Sequence, residues 1–165
     1  NFISNFKDIN IENNLNSEIV LINLKILKKY KHLKVRESLT HGDLKFDHIS
    51  ILNNKIEYVI DWENVGIRSI FFDLLNLFIP WFVHRSFNFI IIKNYVIRFI
   101  KRYLPNLLKD ILKKYDIYFC LFALERFKRI NEARSIKFDK NSANQRYNFI
   151  FKNLTKEIYR EHKNI

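Results

Sequence analysis

Residues 40–75 run THGDLKFDHISILNNKIEYVIDWENVGIRSIFFDLL, and the fold of the chain turns on how they are read. Ile49 and Ile51 alternate with polar residues, Asn53-Asn54 suits a tight turn, and Ile56, Tyr58 and Ile60 alternate again. That period of two around a two-residue turn predicts a β-hairpin. His41-Gly42-Asp43 precedes the first strand, and Ile60-Asp61-Trp62-Glu63 follows the second. A hairpin brings its two ends together, so Asp43 and Asp61 are expected to approach each other. Two carboxylates at one edge repel, and a bound cation is a common reason to tolerate them. The chain has only two glycines, Gly42 and Gly66, which bracket the hairpin. Each is expected to serve a backbone conformation that other residues resist.

On either side the pattern turns helical. Ser17 suits the N-cap of a helix reaching about His32, with Val20, Leu24, Leu27 and Tyr30 at helical spacing. Beyond Ser69 helices are expected from about Ile70 to the region of Pro80, from Phe87 to Leu104 before Pro105, and around Ile117, Leu121, Leu124 and Phe127. A last amphipathic stripe holds Tyr147, Ile150, Phe151, Leu154 and Ile158. Stripes of this kind are the mark of a core, and no function is assigned to them. The fold class is therefore α+β, mostly helical, with a β-hairpin packed on a helical bundle. No repeat and no Pro/Gly/Ser-rich linker divides the 165 residues, so one domain over 1–165 is expected.

Composition narrows the class. A hydrophobic fraction of 48% and an aromatic fraction of 16% exclude a disordered chain. The net charge of +12 raises a nucleic-acid reading. The Lys and Arg residues are spread over every segment, in a chain rich in Asn, Ile, Lys and Phe throughout. That spread is a compositional bias, so a nucleic-acid partner is not expected. A positive field also draws in phosphate-bearing molecules such as nucleotides. Asp73, Asn76, Pro80, His84, Arg85, Asn88, Lys93 and Asn94 interrupt the apolar stretch Ile70–Ile100 too often for a membrane span. The lone cysteine, Cys120, lies in an apolar stretch and is expected to be a buried thiol. No secretory signature is evident, and the cytosol is the expected setting. The chain opens on Asn1 and holds no methionine, so a piece of a longer protein is expected.

Thr40-His41-Gly42-Asp43-Leu44, a hairpin, Val59-Ile60-Asp61-Trp62-Glu63, then Gly66 and Asp73-Leu74, taken in this order, resemble the aminoglycoside phosphotransferase and choline kinase superfamily. The resemblance covers residues 40–75 and implies the C-terminal lobe of a protein-kinase-like fold, with 40–75 as the catalytic and metal segment and 76–165 as a helical subdomain. It implies transfer of the terminal phosphate of ATP, or another nucleoside triphosphate, to an alcohol or sugar hydroxyl on a small-molecule acceptor. Such transfer needs an aligned hydroxyl, a proton acceptor and metal ions bridging the phosphates. By the resemblance, Asp43 is the base, Asp61 a Mg²⁺ ligand, His41 a brace for the loop, and Asp73 a support for the loop backbone from the next helix.

The sequence departs from the family pattern twice. His48 stands where the family places a metal-binding Asn. An imidazole there points to Mn²⁺ beside Mg²⁺, unless Asp47 supplies the oxygen. Residues 1–40 show neither a glycine-rich phosphate loop nor a lysine-bearing strand, so the nucleotide grip is expected to be absent here and supplied by an N-terminal lobe or adjoining chain. This stretch alone is expected to be a poor kinase or none. Two other readings remain open. A metal-dependent phosphohydrolase would use His41, Asp43, His48 and Asp61 as mixed ligands. A degenerate kinase-like lobe, or a basic docking module, would bind no nucleotide.

Overall fold

The computed structural model describes residues 16–30, 32–83, 89–133, 153 and 155–160. Helix α1 (Asn16–Lys29) leads into strand β1 (Glu37–Thr40). The hairpin strands β2 (Ile49–Leu52) and β3 (Lys55–Val59) follow, then β4 (Gly66–Ser69) and helices α2 (Phe72–Val83), α3 (Phe89–Tyr103) and α4 (Leu108–Ala133). The described part is thus mixed α and β, mostly helical, with two separate two-stranded antiparallel sheets.

The hairpin forms where the alternation puts it. Asn53 and Asn54 both take positive φ, 50° and 61°, as the tight hairpin turn requires. Yet no residue from 49 to 59 is buried. A register shift between Ser50 and Ile51 sets Ile51 opposite Ile56, and both side chains are well exposed. The second sheet has no counterpart in the alternation. It pairs β1 with β4 antiparallel, Thr40 opposite Gly66 and Glu37 opposite Ser69. The Ile70 N–H donates to the Arg36 carbonyl beyond the last pair, extending the ladder by one bond. This sheet closes residues 41–65 into a loop with the hairpin at its tip.

The core lies among the helices. From Ile117 to Leu124 every side chain of α4 is buried, so its middle is apolar all round and is surrounded by protein, not merely striped. Val20, Ile26 and Leu27 of α1, Leu75 of α2, and Ile92, Val96 and Ile100 of α3 join it. Phe71 meets Tyr118 edge-on at 4.7 Å, and Phe72 meets Phe122 at 5.1 Å. Cys120 is a free, fully buried thiol whose pKa is pushed up by burial.

Several boundaries differ from the expectation. Helix α1 stops at Lys29, because Tyr30 and Leu33 make short turn bonds to Leu27 and Tyr30 instead of continuing the helix. Helix α2 passes through Pro80 to Val83. Helix α3 ends at Tyr103, ahead of Leu104 and Pro105. Helix α4 starts earlier than the Ile117 pattern and bends at Lys114, which has φ −133° and ψ 16°. The Lys114 ammonium donates to the Lys34 carbonyl at 2.8 Å and to Asp110 at 3.1 Å, tying the bend to the approach to β1. The expected stripe at Tyr147, Ile150, Phe151 and Leu154 lies outside the described residues, as do His84, Phe87 and the first fifteen residues. Residues 155–160 are helical, and Ile158 enters the core.

Candidate phosphoryl-transfer site

Helix α2 grips the His41-Gly42-Asp43 loop from one side. Asp73, in its first turn, accepts the His41 N–H at 2.7 Å on Oδ2 and the Gly42 N–H at 2.9 Å on Oδ1. Three residues on, on the same helix face, the Asn76 side-chain amide donates to the Leu44 carbonyl at 2.9 Å. Gly42 takes φ 85°, the left-handed conformation in which a glycine carries no Cβ penalty. Gly66 has a different reason to be glycine. It lies in β4, and a Cβ there would stand 3.1 Å from the Arg68 guanidinium. That guanidinium is buried, donates to Thr40 Oγ1 at 2.9 Å, and pairs with Glu125 of α4 at 3.2 Å. The Thr40 hydroxyl in turn donates to the Gly66 carbonyl at 2.9 Å.

His41 joins the two ends of the hairpin segment. Its buried ring places Nε2 2.7 Å from the Ile60 carbonyl and Nδ1 3.4 Å from the Asp43 N–H. Those partners fix the tautomer: Nε2 donates to Ile60, and Nδ1 accepts the longer bond from Asp43. Trp62 lies against this ring, 4.7 Å between centroids, and donates its Nε1–H to the Val59 carbonyl.

Asp43 is held by two cations. Lys45 Nζ lies 2.6 Å from Oδ2, and Arg126 Nη1 of α4 lies 3.1 Å from Oδ1. Burial pushes this carboxyl up, but the Lys45 ammonium and the Arg126 guanidinium outweigh it and hold the group below the usual carboxylate range.

Asp61 takes φ 66° and ψ 50°, a left-handed conformation uncommon for a residue with a side chain, though Asp tolerates it better than most. Such outliers gather at functional sites. His48 Nε2 lies 3.3 Å from Asp61 Oδ2, while the buried His48 Nδ1 has no hydrogen-bond partner among the described residues. Glu63 stands beside Asp61 at the exposed end of the hairpin. The hydrogen bond and charge of Asp61, and the charge of Asp43 further off, raise its pKa.

Among the described residues, no group of three or more His, Cys, Asp or Glu side chains is placed to hold an ion. Magnesium that travels with a nucleotide needs only one or two carboxylates, since phosphates and water fill its other positions. Asp61 and Glu63, adjacent carboxylates of which the first raises the pKa of the second, are such a donor set. The residues fit. Asp47, the other candidate oxygen donor, is exposed in the short turn before β2.

The hairpin segment thus brings His41, Asp43, His48 and Asp61 into one neighbourhood, with Asp73 beneath the loop. Sequence reasoning overlooked Lys45, Asn76 and Arg126 and assigned no role to Glu63. Lys45 stands two residues from Asp43, and Asn76 stands one turn from Asp73, so both had a local signal. Arg126 lies far along the chain from Asp43 and had none.

Comparison with known proteins gives one result. No curated protein and no solved structure matches the chain. No helix among the described residues is long and apolar enough to cross a membrane. The model of the Phosphotransferase enzyme family matches residues 18–111, more than half of the chain and the whole of the site-bearing segment. With the Asp43 loop, the hairpin and the Asp61 turn inside that match, the chain belongs to the Phosphotransferase enzyme family.

Proposed function

We propose that this chain carries the phosphoryl-transfer centre of a small-molecule kinase, which moves the terminal phosphate of ATP or another nucleoside triphosphate to an alcohol or sugar hydroxyl. The observation that carries the reading is His41, whose ring touches both the Asp43 backbone and the Ile60 carbonyl next to Asp61. One side chain thereby couples a candidate base to a candidate metal carboxylate. A kinase-like C-terminal lobe is the corresponding fold, and a triphosphate co-substrate makes the cytosol its compartment.

Asp43 orients the acceptor hydroxyl. As the hydroxyl oxygen bonds to phosphorus and the bridging oxygen of the leaving diphosphate departs, the proton passes to the Asp43 carboxylate. A carboxylate held below its usual range is a weak base, and a weak base is sufficient. The transition state of such transfers is loose, so the hydroxyl becomes strongly acidic only late. Asp61 and Glu63 would hold Mg²⁺, which when bound neutralises phosphate charge and orients the nucleotide. His48 holds Asp61: with Nε2–H donating to Oδ2 it fixes the direction of that carboxylate, the role of a ligand's own hydrogen-bond partner. Asp73 and Asn76 keep the Asp43 loop in place.

We assign the grip on the nucleotide's base and outer phosphates to an adjoining lobe or chain. Leu39 and Ile67, paired across β1 and β4 and both more than half exposed, support this, because an apolar pair on an open sheet face is costly unless covered. The test is transfer of labelled terminal phosphate from ATP with Mg²⁺ to a panel of sugars and amino alcohols. Transfer lost in both Asp43→Asn and Asp61→Asn supports the reading. Hydrolysis of simple phosphoesters without nucleotide would replace it with a phosphohydrolase.

A further inference from the structure

We propose that Arg126 is the positioning residue for Asp43: its guanidinium, delivered by α4, fixes the direction of the carboxylate toward the acceptor hydroxyl and holds its negative charge in place. This rests on the reading of Asp43 as the base.

The two cations on Asp43 are not equivalent. Lys45 comes from the same loop on a long flexible stem, and its side chain is 45% exposed. It can swing into water or toward an incoming phosphate without moving the backbone. Arg126 is only 15% exposed. The residue before it, Glu125, is paired with Arg68 of β4, and Arg68 is itself bonded to Thr40 at the root of the Asp43 loop. Consecutive residues of one helix therefore hold the strand beneath the loop and the carboxylate at its tip. The guanidinium cannot drift relative to Asp43 unless α4 moves relative to β4. Anchorage of this kind is what a reacting group needs, because small misplacements at the reacting atoms cost orders of magnitude in rate.

Among the described residues, the groups that face Asp43 come from four elements. The loop supplies Lys45 and, at the backbone, the His41 ring; α4 supplies Arg126; the turn after β3 supplies Glu63; α2 supplies Asp73, which holds the His41 and Gly42 N–H groups. Among the described residues, Lys45 and Arg126 are the cations in contact with the carboxylate. Both lower its pKa against the opposing effect of burial. Removal of Arg126 therefore does two separable things: it frees the carboxylate to rotate, and it moves the pH at which the carboxylate is lost.

The experiment is phosphate release from ATP with Mg²⁺, with water as acceptor, measured from about pH 3 to about pH 8 on native protein, Arg126→Gln, Arg126→Lys, Arg68→Met and Asp43→Asn. Thermal unfolding and ATP affinity are recorded for each. Arg126→Gln is expected to lower plateau turnover about 10-fold or more with ATP affinity unchanged, and to move the acid limb up by about one pH unit. Arg126→Lys is expected to return the limb to its native position and part of the plateau. Arg68→Met, which cuts the tie between α4 and β4, is expected to lower stability and part of the plateau but to move the limb less than Arg126→Gln does, because the guanidinium itself remains beside Asp43. If Asp43→Asn is inactive while Arg126→Gln keeps native plateau and limb, the role of Arg126 is overturned and the base assignment stands. If Asp43→Asn turns over normally, both fall.

Discussion

Asp73 Oδ2 accepts the His41 N–H at 2.7 Å, and that bond, with its companion to Gly42, suspends the Asp43 loop from the first turn of α2. Backbone hydrogen bonds to a charged acceptor are worth about 1.5–3 kcal/mol each, and their donors cannot find other partners in a tight loop. Asp73→Ala is expected to destabilise the protein by about 2–4 kcal/mol in urea unfolding. Asp73→Asn keeps one carbonyl oxygen and should lose about half as much.

Asp43 and Asp61 should separate kinetically. Asp43→Asn is expected to reduce transfer by about 10²–10⁴-fold with little change in nucleotide affinity, because the base acts on the acceptor. Asp61→Asn should weaken Mg²⁺-dependent ATP binding itself, as isothermal titration would read directly. Equal losses of affinity in the two variants would contradict the division of roles.

His48 faces Asp61, so its variants should act through that carboxylate. His48→Ala is expected to weaken Mg²⁺-dependent ATP binding by about 10-fold or more, the usual cost of losing a ligand's hydrogen-bond partner. His48→Asn, which can still donate, should stay within about threefold of native. A native preference for Mn²⁺ over Mg²⁺ that disappears in His48→Asn would instead make His48 a direct ligand.

The depressed pKa of Asp43 has a defined sign in stability. A carboxyl whose folded pKa lies below its unfolded value of about 3.9 contributes stability above that value and loses it as pH falls through the folded pKa. Acid unfolding of the native protein should therefore draw on Asp43 only below about pH 4. Asp43→Asn should flatten that part of the stability curve and leave the neutral part parallel to native.

Gly66 predicts a coupling. Gly66→Ala places a methyl against the Arg68 guanidinium, which Thr40 and Glu125 hold still, and should cost about 1–3 kcal/mol. In an Arg68→Met background the same change should cost little. A double-mutant cycle showing no coupling would contradict the contact.

The two hairpin strands and the carboxylates at their ends were legible because their signals are local: alternation, an Asn-Asn turn, and acidic residues flanking it. The β1–β4 sheet was not. Glu37–Thr40 and Gly66–Ser69 are short and largely polar, and only their distant pairing makes them strands. The alternation also led to a hairpin packed on the helices, whereas none of residues 49–59 is buried. In α4, apolar positions at helical spacing gave both the element and its place in the core, and only the all-round burial from Ile117 to Leu124 goes beyond a stripe. Asp43 could be nominated from its neighbours in sequence. The Arg126 that pins it could not, since only folding brings α4 to the loop.

The β1–β4 ladder closes the chain at its waist, with His41, Asp43, His48, Asp61 and Glu63 all on the enclosed side. Releasing these groups together requires those four pairs to part along with the Asp73, Asn76 and Arg126 bonds that tie the loop to α2 and α4, although the helical core stays folded. The site is therefore a single opening unit, and its weakest seam is a short, mostly polar strand pair. Amide hydrogens of Glu37–Thr40 and Gly66–Ser69 should exchange with one shared free energy, well below that of the middle of α4. A ligand that bridges the two ends of the hairpin should slow their exchange in step with its affinity, since it must bind the closed form alone.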